Sequence, residues 1–240
     1  MLKFSDINTF RNQSLKPPCR NGFTLSELLM ALTIVGVIAV LTVPVMMNNI
    51  HNKMFATQVK NMAAIIEQLA QDQLIVHRTR DLSDTDFADA AKLLSDNHFA
   101  ISKNCSPDKA LNECWKTGVS GSNKVNYKKL DGSAMGNFTA SRTVILRNGV
   151  ILKYNTESND GKTVGFFMFD INGNDKPNML GRDLFGFYVT PKGRIVDCSE
   201  LSNDDVSLAE KINKCKANSS PKGTGWCYGA VVDSGWKMDY

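Results

Sequence analysis

Twenty residues without a formal charge, Leu28 to Met47, follow directly on Glu27. A run of that length makes a helix about 30 Å long at 1.5 Å per residue, enough to cross the hydrocarbon core of a bilayer. The acid at its edge is not what a simple anchor needs. A carboxylate there must be desolvated, neutralised or partnered, so Glu27 is expected to meet a polar group.

An ordinary secretory signal peptide has an apolar core of about 7–15 residues and a small-residue cleavage site after it. This run is longer and continues into Pro44-Val45-Met46. With 240 residues, 42% of them hydrophobic, the chain has material for one membrane segment and one globular domain. The first 22 residues carry Lys3, Arg11, Lys16 and Arg20 against Asp6, which places them on the cytoplasmic side and the domain outside. The remainder, with 24 basic against 23 acidic residues, is near +1, so charge supplies no argument for nucleic-acid binding.

Beyond Pro44 the pattern turns amphipathic. Ile50, Met54, Val59, Met62, Ile65, Ile66, Leu69 and Leu74 recur near helical spacing, which predicts one long helix from Phe23 to about His77, bent near Pro44. A short helix is expected over 86–95, capped by Ser83 or Asp84. A polar, cysteine-bracketed loop follows, through Asn137. Residues 143–146 and 150–154 flank Asn148-Gly149, a strong hairpin signal. Further strands are expected at 164–169, 184–189 and 194–196, a late helix at 205–214 and a last strand at 228–232. The fold class is therefore α+β, a long N-terminal helix packed on a C-terminal antiparallel sheet.

The string Arg20-Asn21-Gly22-Phe23-Thr24-Leu25-Ser26-Glu27 before the apolar run resembles the class III signal of type IV pilins and of the pseudopilins of type II secretion. The resemblance extends from Lys16 to roughly Leu74. It implies cleavage between Gly22 and Phe23 by prepilin peptidase, methylation of the new amino terminus at Phe23, and a pilin-like fold. Glu27, fifth after the cut, would pair with the α-amino group of a neighbouring subunit's Phe23. Gly36 and Pro44 fall where such helices are loosened or bent. The implied organisation is a cleaved leader (1–22), a transmembrane and assembly helix (23–47) and a periplasmic domain (48–240). The implied function is a structural subunit of a type IV pilus or type II secretion pseudopilus, held in the inner membrane of a Gram-negative bacterium with its domain in the periplasm or at the cell surface. Its partners would be homologous subunits, prepilin peptidase and the assembly platform. The alternative is a membrane-anchored periplasmic binding or adhesive module that does not polymerise.

Cys19 lies in the leader, leaving Cys105, Cys114, Cys198, Cys215 and Cys227 in the domain. Cysteines so placed in an exported domain read as disulfides. Cys105 and Cys114 are expected to pair, and one more bridge is expected among Cys198, Cys215 and Cys227, with Cys198 favoured as a member. Asp170, Asn172 and Asn174, with Asp183 shortly after, crowd oxygen-bearing side chains between two strands, the ligand type calcium takes. The spacing is not that of an EF-hand, and the same residues suit a turn with capped amides. No cofactor other than calcium is suggested. His51, His77 and His98 do not cluster, and Trp115, Trp226 and Trp236 read as core residues. No Gly-x-Ser-x-Gly, His-Glu-x-x-His or P-loop is present, so an enzyme is not expected.

Overall fold

The computed structural model describes residues 22–202, 205–218, 220–238 and 240. Most of the expected leader therefore lies outside the described residues, as do the side chains of Pro44, Val45, Asn48 and Pro221. The described residues fall into two units, one ending at Met46 and one running from Met47 to Tyr240. Helix α1, Leu25–Val76, contributes to both.

In the first unit α1 carries apolar side chains on every face. All described residues from Gly22 to Val43 are exposed. The stretch Leu25–Val43 is long and apolar enough to span a membrane. Its two threonines turn inward on their own helix, Thr33 Oγ1 donating to Met30 O at 2.8 Å and Thr42 Oγ1 to Ile38 O at 2.9 Å. Neither hydroxyl is left unpaired, which suits a helix able to enter lipid, where an unmet hydrogen bond costs most.

The second unit is a six-stranded antiparallel meander, β1 Ile101–Cys105, β2 Thr143–Leu146, β3 Ile151–Thr156, β4 Gly165–Asp170, β5 Leu184–Val189 and β6 Ile195–Val196, with strands in sequence order across the sheet. Every residue of β4 and β5 is buried. Alternate side chains enter two cores. Phe167, Phe169, Phe185 and Phe187 join one built with α1, while Phe166, Met168, Leu184 and Tyr188 join another with Trp115, Tyr127 and Phe138. Coverage on both faces explains why Phe166-Phe167-Met168-Phe169 is uniformly apolar and does not alternate.

Of the apolar residues expected along α1, Val59, Met62 and Ile66 are buried and Leu69 and Leu74 pack against the core, but three are not. Phe55, Ala56, Val59, Met62, Ala63, Ile66 and Ala70 are buried, whereas Ile50, Met54 and Ile65 are exposed. Ala56, Ala63 and Ala70 repeat every seven residues, a strip of small side chains that lets the backbone come close to its neighbours. At Gly193, φ +78°, a Cβ would lie 2.7 Å from Gln71 Nε2 and 3.2 Å from Ala70 Cβ, so the β5–β6 turn runs directly against this strip.

Three further expectations are corrected. The single helix over 86–95 is two pieces, a 3-10 turn at Asp86–Ala88 and helix α2 at Ala90–Leu93, because Asp89 is extended and its carboxylate accepts from Ala91 N. Strand β1 replaces part of the expected loop. After the short turn α3, Pro107–Lys109, α4, Cys198–Ser202, and α5, Leu208–Ala217, the segment read as a last strand is helix α6, Thr224–Asp233. Tyr228 packs its ring 5.0 Å from that of Phe187, and this docking on β5 overrides the β-forming character of Ala230-Val231-Val232.

Candidate functional site

Two places collect the residues singled out by the sequence. The first is the start of α1. Thr24 O accepts from Leu28 N at 3.1 Å, which makes Thr24 the cap of the helix. Its Oγ1 accepts from Glu27 N at 3.2 Å and donates to Glu27 Oε2 at 2.7 Å, and Oε2 also accepts from Thr24 N at 2.8 Å. This is a capping box, with backbone donors of the first turn satisfied reciprocally. The polar partner expected for Glu27 is thus present within the chain and is Thr24. The pattern Thr24-x-x-Glu27 before an apolar run is the signal that identifies it. Gly22 and Phe23 are exposed just ahead, and no described atom lies within 4 Å of where a Cβ on Gly22 would sit.

The second is the connection between β4 and β5, which brings Asp170, Asn172, Asn174 and Asp183 together and adds Asn178. Asp170 ends β4 and Asp183 immediately precedes β5, and both are fully buried. Asp170 Oδ2 accepts from the Tyr127 hydroxyl at 2.5 Å and Oδ1 from Asn172 N at 3.1 Å. Asp183 accepts from Asn178 N and Met179 N, both at 2.6 Å. Burial, and then the neighbouring charge of Asp183, hold the Asp170 carboxyl well above the usual range. Burial pushes Asp183 up to about 6 against the lowering effect of the Met179 and Asn178 amides. Among the described residues no group of three or more His, Cys, Asp or Glu is placed to hold a metal, so any cation here would depend on amide oxygens as well.

Both disulfides border this connection. Cys105 is bonded to Cys114 and Cys215 to Cys227. Asn174 Nδ2 donates to Cys114 O at 2.8 Å, and a Cβ on Gly181 would lie 2.9 Å from Cys215 Sγ. Cys198, favoured from the sequence as a bridge member, is instead the free thiol. Helices α5 and α6 lie side by side and bring the Cα atoms of Cys215 and Cys227 to 4.8 Å. Cys198 Sγ faces Lys222 O, and burial pushes this thiol up to about 12. Of the histidines, His98 Nε2 is 2.8 Å from Asp86 Oδ2, at the short helical turn. Trp115 is buried and stacks on Phe138, while Trp226 and Trp236 are partly buried under Lys214 and Lys60.

Residues 18–43 match the family model for the prokaryotic N-terminal methylation motif. This is the type IV pilin and pseudopilin signal. It accounts for the Gly22–Glu27 string and for the apolar part of α1, and it marks a type IV pilin-like precursor of the kind prepilin peptidase processes. No curated protein and no solved structure matches the chain. The motif and the apolar helix together fit membrane anchoring.

Proposed function

We propose that the chain is a structural subunit of a type IV pilus or type II secretion pseudopilus, cut after Gly22, methylated at Phe23 and assembled through α1. The observation that carries this reading is the methylation motif lying on a helix whose described side chains up to Val43 are all exposed. Apolar surface on every face of a helix requires lipid or other helices around it. The organisation follows: leader 1–22, assembly helix 23–47 with a bend at Pro44, domain 48–240 in the periplasm or at the surface of a Gram-negative cell. Subunits of the same kind, the peptidase and the assembly platform are its partners, and it carries out no reaction of its own.

Moving from lipid into a filament core changes little apolar burial, so register depends on polar contacts. Thr24 holds Glu27 Oε2, and Oε1 has no hydrogen bond among the described residues. That oxygen is the one offered to the methylated α-amino group of Phe23 on the next subunit. Such an ion pair specifies alignment more than it adds stability.

Mass spectrometry of the mature protein tests the reading. A filament subunit begins at methylated Phe23, whereas a simple anchor keeps its leader. Glu27→Val is expected to leave cleavage and insertion intact and to reduce incorporation into filaments about five- to thirtyfold when co-expressed with wild type, in line with loss of one intersubunit contact of about 1–2 kcal/mol. Equal incorporation of the variant removes Glu27 from the assembly contact.

A further inference from the structure

A groove of about 790 Å³ runs between the start of α2, the residues just ahead of β2 and the end of β3. Two polar atoms of its lining residues are buried without a hydrogen-bond partner, Ser141 Oγ and Arg142 Nε. No carboxylate stands within salt-bridge reach of the Arg142 guanidinium among the described residues. The other charged groups of the groove are already engaged. Lys222 Nζ donates to Glu157 Oε1, and Asp89 Oδ1 accepts from Ala91 N at 2.8 Å. Arg142 is held through its backbone, whose carbonyl accepts from Tyr154 N at 3.4 Å.

A guanidinium N–H shut away from water and left unbonded costs free energy, and its planar fork matches a carboxylate through two parallel hydrogen bonds. Ser141, next in the chain, adds a hydroxyl that can donate to the same group. Arg142 and Lys222 are balanced by Asp89 and Glu157, so the lining is neutral and suits a singly charged carboxylate better than a phosphate dianion. Beside the arginine the sheet offers backbone. β2 pairs with β3 only as far as Lys153, whereas β3 runs on to Thr156, paired with Gly165 of β4 on its other side. At Asn155 and Thr156 that edge of β3 has no strand beside it among the described residues, and Thr156 is exposed. A segment laid along such an edge gains main-chain hydrogen bonds, while an adjoining side-chain pocket supplies selectivity. We propose that this groove binds an extended acidic segment of a partner polypeptide, with a glutamate or aspartate carboxylate on Arg142 and Ser141 and its backbone along Asn155 and Thr156. The groove lies within the domain, so the site stands whether or not the chain polymerises.

Full-length protein in detergent, titrated against a labelled, end-blocked peptide Thr-Val-Glu-Val-Thr and read by fluorescence anisotropy, is expected to bind it saturably. The same peptide with glutamine in place of glutamate should bind at least about tenfold more weakly, the scale of one charge-assisted hydrogen bond. Arg142→Gln should lose at least about tenfold in affinity for the glutamate peptide while melting as wild type does, because its guanidinium has no ion-pair partner in the domain to lose. Arg142→Lys keeps the charge but not the fork and should recover only part of the affinity. Ser141→Ala, a smaller change at the other unpartnered atom, should also weaken binding, and it carries the test should Arg142→Gln melt lower. Failure of the glutamate peptide to bind, or equal binding of the glutamine peptide, overturns the proposal. Unchanged affinity in folded Arg142→Gln, or in Ser141→Ala where that variant carries the test, overturns the location. Free glutarate or inorganic phosphate binding as tightly as the peptide overturns a polypeptide carboxylate as the ligand.

Discussion

Gly22→Arg is expected to leave the chain uncut, at full length in the membrane, with no species beginning at methylated Phe23. Gly22 is exposed and no described atom stands within 4 Å of the position a Cβ would take, so nothing among the described residues calls for glycine. The demand comes from outside. A peptidase acting between Gly22 and Phe23 must bring its catalytic groups against the backbone, and a long charged side chain at that position blocks the approach. The measurement is the mass and amino-terminal sequence of membrane-fraction protein, with Gly22→Ala as the milder arm. Normal amounts of mature protein from Gly22→Arg would defeat the processing scheme and with it the filament reading.

Lys211→Met is expected to have the largest effect on the stability of the domain, about 3 kcal/mol. Lys211 Nζ donates to Asp197 Oδ2 at 2.8 Å and to Asp233 Oδ2 at 2.7 Å. Asp197 is buried and also accepts from Ser199 N, Ser199 Oγ and Glu200 N, so one lysine ties the start of α4 to α5 and to the end of α6. Removing one partner of a buried ion pair leaves the other charge uncompensated and costs about 3–5 kcal/mol. The lower end applies here because Asp233 is partly solvated. Guanidinium unfolding followed by tryptophan fluorescence reads the loss, and a change under about 0.5 kcal/mol, the range of ordinary surface substitutions, would contradict it.

The pH dependence has a definite sign. Burial raises the Asp197 carboxyl, but hydrogen bonds from Lys211 and Ser199 outweigh it and hold it below the usual range. Its contribution is therefore present above the unfolded value near 3.9 and lost as pH falls through the folded one. Burial lowers Lys211, and its bonds to Asp197 and Asp233 outweigh this and raise it. That contribution is complete below about pH 10 and fades as pH rises through the folded value. The difference between wild type and Lys211→Met should accordingly be widest near neutrality and shrink below about pH 4.

Features that depend on neighbours in the chain are readable in the sequence alone. The apolar run, the Gly22–Glu27 string, the Asn148-Gly149 hairpin and strands β4 and β5 each arise from composition or turn chemistry within a few residues. Even the capping box of Thr24 and Glu27 is written in the chain as Thr-x-x-Glu. The crowding of oxygens between Asp170 and Asp183 is equally visible.

Features that depend on which surfaces meet are not. The helical spacing marks Val59, Met62 and Ile66 on the buried stripe of α1, but that the stripe also takes in Ala56, Ala63 and Ala70 while Ile50, Met54 and Ile65 stay exposed depends on what packs against it. Tyr228 to Val232 is helical because Tyr228 must reach Phe187. Cys227 pairs with Cys215 and not with Cys198 because helices α5 and α6 pack side by side, and sequence distance carries no information about that. Asn178 joins the loop oxygens only once Asp183 has bonded its backbone amide. Local chemistry selected the elements; burial and hydrogen bonding between distant residues chose their faces, their bridges and the final member of the site.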